Sequence, residues 1–261
     1  MKTIKIDLPQ ELERIEIHPL GDRHFGDTMS DWEHTQKLLK HITETPNAYC
    51  ILGGDLMDTA IATSVGDTYG ANLTPMEQLK QCVLLFEPLA KAGKILCILP
   101  GNHENRVYRS DGLDITALMA DQLGLRDRYS PTTALLFIRF GKRKDKVHHK
   151  RKMVYTIYAT HGSGGGRKEG GKINRLADYA QIVDADIYVC WHTHLPAIFR
   201  CGYFRTSMAN SSVKFVSKLF VNGAAALNHG GYGDTQGFKP AAKENPVIYL
   251  DGTQQHATAE V

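Results

Sequence analysis

The chain has 261 residues, 42% hydrophobic and 23% charged, with a formal net charge of +3. That supplies ample material for a core at an ordinary charge load. No run approaches the roughly 18 continuous apolar residues of a membrane span. The N-terminal MKTIKIDLPQELERIEI alternates apolar with charged residues and has no signal-peptide core, so a cytoplasmic protein is expected.

The predicted elements alternate strand and helix through the first half. RIEIHPLGD (14–22) reads as a strand running into a loop. SDWEHTQKLLKHITE (30–44) reads as a helix with Ser30 or Asp31 as N-cap and Trp32, Thr35, Leu38, Leu39 and Ile42 as its inward stripe. AYCILGGD (48–55) is a strand apolar on both faces, as in a buried sheet. TPMEQLKQCVLLFEPLAKAG (74–93) is a helix with a capping box at Thr74 and Glu77, Pro75 at N1 and Gly93 as its C′ residue. KILCILP (94–100) is a strand and DITALMADQLGL (114–125) a helix.

After Pro131 strands dominate. TTALLFIRF and KMVYTIYATH flank a basic stretch, GKRKDKVHHKRK (141–152), which reads as a hairpin tip. It holds seven Lys or Arg against one Asp, so the rest of the chain is net acidic. GGKINRLADYAQIVDAD (170–186) is a helix, IYVCWH a strand, and three strand-like runs follow: AIFRCGYFRT, SVKFVSKLFVNG and PVIYLDG. The order suggests two packed sheets with helices outside, in one domain spanning 1–261. The five cysteines, Cys50, Cys82, Cys97, Cys190 and Cys201, form no CxxC pair and are expected to be buried thiols.

Five runs end in polar clusters: Asp22 and His24, Asp55 and Asp58, Asn102 and His103, His161, and His192 with His194. Each has a plain structural reading alone, such as Asp22 in a Gly-Asp turn or His161 as a hydrogen-bonded structural histidine. Together they do not, because five of the twelve histidines fall in these clusters. In α/β sheets the carboxyl ends of strands form the site crevice. Nitrogen and oxygen donors without thiolate suit a divalent ion such as Mn, Fe or Zn. Asp22, His24, Asp55, Asn102, His161, His192 and His194 are too many for one tetrahedral ion but fit two ions sharing a carboxylate, the device that clamps both oxygens of a phosphoester displacement.

These blocks, in this order, resemble the calcineurin-like metallophosphoesterase family, whose pattern is DxH, GDxxD, GNH(D/E), a lone His after a strand, and HxH. The resemblance implies a four-layer α-β-β-α sandwich of two mixed sheets. It implies that Asp22, His24 and His194 bind one metal, that Asn102, His161 and His192 bind the other, and that Asp55 bridges them. Manganese is expected first, with iron, zinc or magnesium as alternatives. His103 would act on the phosphate and Asp58 would orient it, while a metal-bound water or hydroxide attacks. Glu104, the third neighbour in GNHE, has no place in that count and is expected to hold the loop through backbone N–H groups or Arg106.

Protein phosphatases of the family follow GDxxD with Arg, whereas this chain has Thr59; Arg106 or Arg109 would have to grip the phosphate instead. DRHFGD looks more like the D-x-H-x-G form of nuclease-like and phosphodiesterase branches. The expected activity is therefore a two-metal phosphodiesterase or nuclease acting on DNA or nucleotides. The alternatives are a phosphomonoesterase, and a nucleic-acid-binding module with a degenerate site. Nucleic acid would be met by the basic segments 141–152 and 167–175, with Arg106, Arg167 and Lys168 as candidate substrate residues. The long loop 59–75 is expected to rim the site. Asn210 and His229 are further candidates to line a pocket, with a structural contact near a Gly-rich turn the preferred reading of His229.

Overall fold

A computed structural model describes residues 1–61, 64, 71–144, 151–164, 166, 168–235 and 237–261. Its elements in chain order are β1 (Lys2–Asp7), β2 (Arg14–Leu20), α1 (Trp32–Glu44), β3 (Ala48–Leu52), α2 (Pro75–Lys91), β4 (Ile95–Ile98), α3 (Asn102–Asp111), α4 (Ile115–Gln122), β5 (Thr133–Phe140), β6 (Met153–Thr160), α5 (Glu169–Asp178), β7 (Ile187–Cys190), β8 (Ala197–Ser207), β9 (Ser212–Asn222), α6 (Gly231–Thr235), β10 (Val247–Asp251) and β11 (Ala257–Glu260).

The strands form two mixed sheets, ordered β1-β5-β6-β7-β9-β8 and β11-β10-β2-β3-β4. Three apolar clusters fill the three spaces of a four-layer sandwich. One joins inward residues of both sheets, such as Ile15, Ile17 and Ile51 with Ile157, Val189 and Trp191. A second lies between the five-stranded sheet and α1, α2 and α4, through Leu39, Ile42, Leu79, Phe86 and Met119. The third packs Leu176 of α5 against Tyr158, Tyr188 and Phe220 of the six-stranded sheet. Within the described residues no helix is long and apolar enough to cross a membrane.

Local signals explain the helix ends. Asp31, not Ser30, caps α1 and accepts from His34 N–H at 3.0 Å. Thr74 and Glu77 close the capping box of α2, and Gly93 follows the helix at φ 67°. Trp32 departs from its expected place in the α1 stripe: it is 38% exposed, and its ring meets Phe25 edge-on at 5.0 Å. As the first helical residue it lies at the margin of the sheet. The helix expected at 170–186 is α5 followed by one 3-10 turn at Tyr179–Gln181. All five cysteines are free thiols, four of them buried and Cys201 partly so.

Four elements go beyond the expectation, the short helix α6 (Gly231–Thr235) among them. β1 pairs parallel with β5, burying Ile4 and Ile6 between exposed Thr3, Lys5 and Asp7. β11 pairs with β10. α3 begins at Asn102, where the polar row had suggested a loop.

Strand direction places the site. β2, β3 and β4 run parallel, and so do β6 and β7, so five carboxyl ends gather where the sheets meet. Trp191 seals the floor between them. A Cβ added to Gly21, Gly53 or Gly223 would come within 2.4, 2.2 and 2.2 Å of its indole, so the sheets close on this ring only because those positions carry no side chain. The basic stretch 141–152 does connect β5 to β6, although residues 145–150 lie outside the described residues. It joins the start of β6, whereas His161 follows its end. Its described flanks, up to Lys144 and from Arg151, are therefore at the far end of the sheet from the polar clusters, about 25 Å away at 3.3 Å per residue.

Candidate metal centre

Three of the five polar blocks turn sharply out of their strands. Asp22, His24, Asp55, Thr59, His192 and His194 all adopt positive φ, between 45° and 71°. This left-handed region is unfavourable for residues with a Cβ, and such outliers cluster where function over-determines the backbone.

Asp22, His24 and His194 form one group whose donor atoms lie within 4.8 Å of one another. Asp22 is fully buried. Its Oδ2 accepts from His192 N–H at 2.9 Å, while Oδ1, 3.6 Å from His194 Nε2, has no hydrogen-bond partner. The Nε2 atoms of His24 and His194 face each other at 3.3 Å. Burial raises the Asp22 pKa, but the nearby His194 outweighs it and the net shift is downward.

Asp55, His161 and His192 form a second group. Asn102 Oδ1 lies 3.2 Å from His161 Nε2 and 2.6 Å from His192 Nδ1. His161 Nδ1 donates to Gly53 C=O at 2.7 Å, which turns Nε2 toward Asp55 Oδ2 at 3.3 Å. Nε2 thus looks at two acceptor oxygens, a place that calls for positive charge. Burial lowers the His161 pKa, but the Asp55 carboxylate overrides this and drives it to about 10. An orphaned buried carboxylate oxygen, opposed imidazole nitrogens and a histidine held through its other nitrogen all fit a divalent cation.

His103 is a member of neither group, although with Asp58 and His24 it forms a third cluster of donor atoms and its ring meets that of His24 edge to face at 4.4 Å. Its Nδ1 is 2.9 Å from Asp58 Oδ1 and 3.0 Å from the Asp58 carbonyl. Its Nε2 is 3.9 Å from Asp55 Oδ2, beyond hydrogen-bond range. Burial pulls its pKa down, but the Asp58 hydrogen bond and the Asp55 charge leave it raised. Asp58 Oδ1 also lies 3.8 Å from His24 Nδ1, so one carboxylate faces the back of two imidazoles.

Helix α3 explains how GNHE packs three roles into successive positions. His103 N–H donates to Asp55 Oδ1 at 2.8 Å. Glu104 is buried beneath and accepts four backbone N–H groups: Gly101 at 2.8 Å, Asp55 at 2.9 Å, Leu56 at 2.7 Å and Met57 at 3.0 Å. The expected role in holding the loop is met through backbone groups; Arg106 instead donates to Ser64 Oγ at 2.9 Å. Gly101 is a close-approach position, because a Cβ there would lie 2.0 Å from Asp55 Oδ1. Gly101→Ala is expected to push Asp55 aside and sharply lower metal content, measured as metal per chain, with a smaller loss of helical circular dichroism.

Other candidates are placed less centrally. Thr59 is buried; its N–H donates to Gln78 Oε1 and its hydroxyl to the His103 carbonyl, so it braces the loop and does not line the cleft. Lys168 is the exposed N-cap of α5, while Arg167 lies outside the described residues. So does part of the loop 59–75, namely 62–63 and 65–70. Asn210 sits in the turn between β8 and β9, whose other end leads to the HxH segment, and His229 is 3.6 Å from Asp234. Neither joins the groups above. The sequence did not single out Lys172 as a brace, yet it donates to the Thr193 carbonyl at 2.8 Å, between the paired histidines. Nor did it single out Asn222, whose amide donates to Thr193 Oγ1 and the Leu195 carbonyl. Their only signal was position after an apolar run or inside a charge cluster.

A family model described as calcineurin-like phosphoesterase matches residues 23–196. No curated protein sequence matches the chain. Among solved structures, the chain is similar to a conserved uncharacterised protein, a predicted phosphoesterase, from Streptococcus pneumoniae, at 13% identity over 95% of this chain and 90% of that one, with a TM-score of 0.38. It is also similar to wild-type Vps29 complexed with zinc from Entamoeba histolytica, at 12% identity over 94% and 97% of the two chains, with a TM-score of 0.39.

Proposed function

The chain belongs to the calcineurin-like phosphoesterase family and is a metal-dependent phosphoester hydrolase; on that premise we propose that it is a two-metal phosphodiesterase acting on nucleic acids or nucleotides, within one domain spanning 1–261. Asp22, His24 and His194 would hold one ion, Asn102, His161 and His192 the other, and Asp55 would lie between them. Bound there, divalent ions would supply Lewis acidity toward the phosphoryl oxygens and a lowered pKa for the attacking water; Mn²⁺ suits the nitrogen and oxygen donors.

The residues of the chain do the rest. Asp58 holds Nδ1 of His103, so Nε2 is the nitrogen that meets substrate. A proton on Nε2 passes to the leaving oxygen as its bond to phosphorus breaks and the water oxygen bonds to phosphorus on the opposite side. His161 and Asp22 are fixed by Gly53 C=O and His192 N–H, so the donor atoms need little rearrangement. Trp191 and its glycine cradle exclude water from below.

The observation that carries the reading is the convergence of seven nitrogen and oxygen donors from five strand ends beside a histidine held through its far nitrogen. Preference for diesters rests on Thr59. A phosphomonoester carries about −1.5 to −2 charge at pH 7, more than a diester, and the side chain following GDLMD is a buried hydroxyl instead of a guanidinium. The described flanks of the basic stretch, 141–144 and 151–152, are too remote to grip the scissile phosphate. Arg106, whose charge acts on His103, is a candidate cation for substrate, and Arg167 and Lys168 are proposed for the same role from their sequence positions after His161.

The test is metal-stripped protein reloaded with Mn²⁺ and given a model monoester, a model diester, and single- and double-stranded DNA oligonucleotides. Hydrolysis of the diester and of DNA is expected; activity on the monoester alone would overturn the diesterase assignment. Replacing Lys142, Arg143, Lys144 and Lys146 by Ser is expected to leave cleavage of a short oligonucleotide unchanged.

A further inference from the structure

A second meeting of imidazole and carboxylate lies away from the strand ends. Glu16 and His18 are two apart on β2, so their side chains leave the same face of the sheet. That face is covered by α1, whose last turn brings His41 down onto them. Glu16 Oε1 lies 3.2 Å from His18 Nε2 and 2.7 Å from His41 Nε2, and the three donor atoms lie within 4.8 Å of one another. The two rings meet edge to face, with centroids 5.4 Å apart. The side chains of His18 and Glu16 are 3% and 14% exposed, while that of His41 is 51% exposed. The cluster is therefore walled by the sheet and open on one side.

We propose that Glu16, His18 and His41 form a separate transition-metal site that binds one Zn²⁺ ion through Oε1 and the two Nε2 atoms, with water at the open position. Two imidazoles and one carboxylate with an open fourth place is a donor set zinc takes. The ligands come from two elements, so an ion here pins the end of α1 to β2 and stabilises the folded state by binding it alone. The neighbouring cations are engaged elsewhere. Lys94 Nζ donates to the carbonyls of Thr45 and Ala48, and the Arg14 guanidinium lies over the Tyr249 ring at 4.0 Å. The site is distinct from the catalytic groups: Glu16 and His18 lie within β2, which ends at Leu20 before Asp22, and none of the three residues belongs to the groups at the strand ends. The competing account is a hydrogen-bonded trio in which one carboxylate oxygen serves both imidazoles.

The test uses the full chain equilibrated with Zn²⁺, freed of unbound metal and assayed for zinc per chain and for melting temperature. His41→Ala and Glu16→Gln are each expected to hold one zinc fewer than wild type and to gain less thermal stability from Zn²⁺. Phosphoester turnover is expected to be unchanged in His41→Ala. Glu16→Gln keeps an oxygen acceptor for an imidazole but loses the anionic ligand, so retention of the zinc in that variant favours the trio and overturns the site. Equal zinc content in wild type and His41→Ala overturns it too. So does a loss of zinc accompanied by an equal loss of turnover, which would assign the missing ion to the catalytic groups.

Discussion

His103→Ala is expected to slow phosphoester hydrolysis by about 10²–10⁴-fold, the range over which a positioned general acid contributes, while metal content stays at the wild-type value. The two halves of that expectation come from separate contacts. Nδ1 of His103 is committed to Asp58 at 2.9 Å, and Nε2 is 3.9 Å from the nearest candidate bridging oxygen. Removing the ring therefore deletes a proton donor without deleting a metal donor. Its backbone N–H still reaches Asp55 Oδ1, because the helix that carries it is unchanged. The check is kcat together with metal per chain. Loss of metal in step with loss of rate would contradict the role given to His103, and wild-type turnover would remove it from the reaction. Asp58→Asn should be milder in rate, since an amide oxygen can still accept from Nδ1 but leaves the imidazolium less stabilised.

Glu104→Gln is the second large effect, and it falls on stability. The carboxylate serves four backbone N–H groups with two oxygens. An amide offers one oxygen and turns an NH₂ group toward the other two donors. Two orphaned N–H groups at roughly 1–3 kcal/mol each give a loss of about 2–6 kcal/mol. The shift should appear in the denaturant midpoint and be accompanied by weaker metal retention, since those N–H groups belong to the turn that aims Asp55. An unchanged midpoint would mean the backbone finds other acceptors and that Glu104 does not hold the turn.

Much of the site was legible because its chemistry is concentrated in short blocks directly after apolar runs. Asp22, Asp55, Asn102, His161 and His192 each follow a strand that the apolar pattern marks, and parallel strands deliver their ends to one edge. The four-layer order was legible for the same reason. What stayed hidden depends on distance along the chain. β1 has alternating Ile4 and Ile6, but only its pairing with β5, more than a hundred residues away, makes it a strand. α3 is short and polar, and its start at Gly101 with Glu104 three residues on resembles a loop until Glu104 is seen to bind the turn after β3. The remoteness of the flanks of the basic stretch follows from strand direction and not from composition. The left-handed backbone of Asp22, His24, Asp55, His192 and His194 has only a weak residue signature: Asp and His are enriched there among residues other than glycine, but most of them lie elsewhere.

The most direct measurement is anomalous scattering from crystals of the Mn²⁺-loaded protein. Two peaks are expected at the strand ends, one among Asp22, His24 and His194, the other among Asn102, His161 and His192, both within ligand distance of Asp55. A single peak, or two peaks that do not share Asp55, would contradict a two-metal centre bridged by that carboxylate.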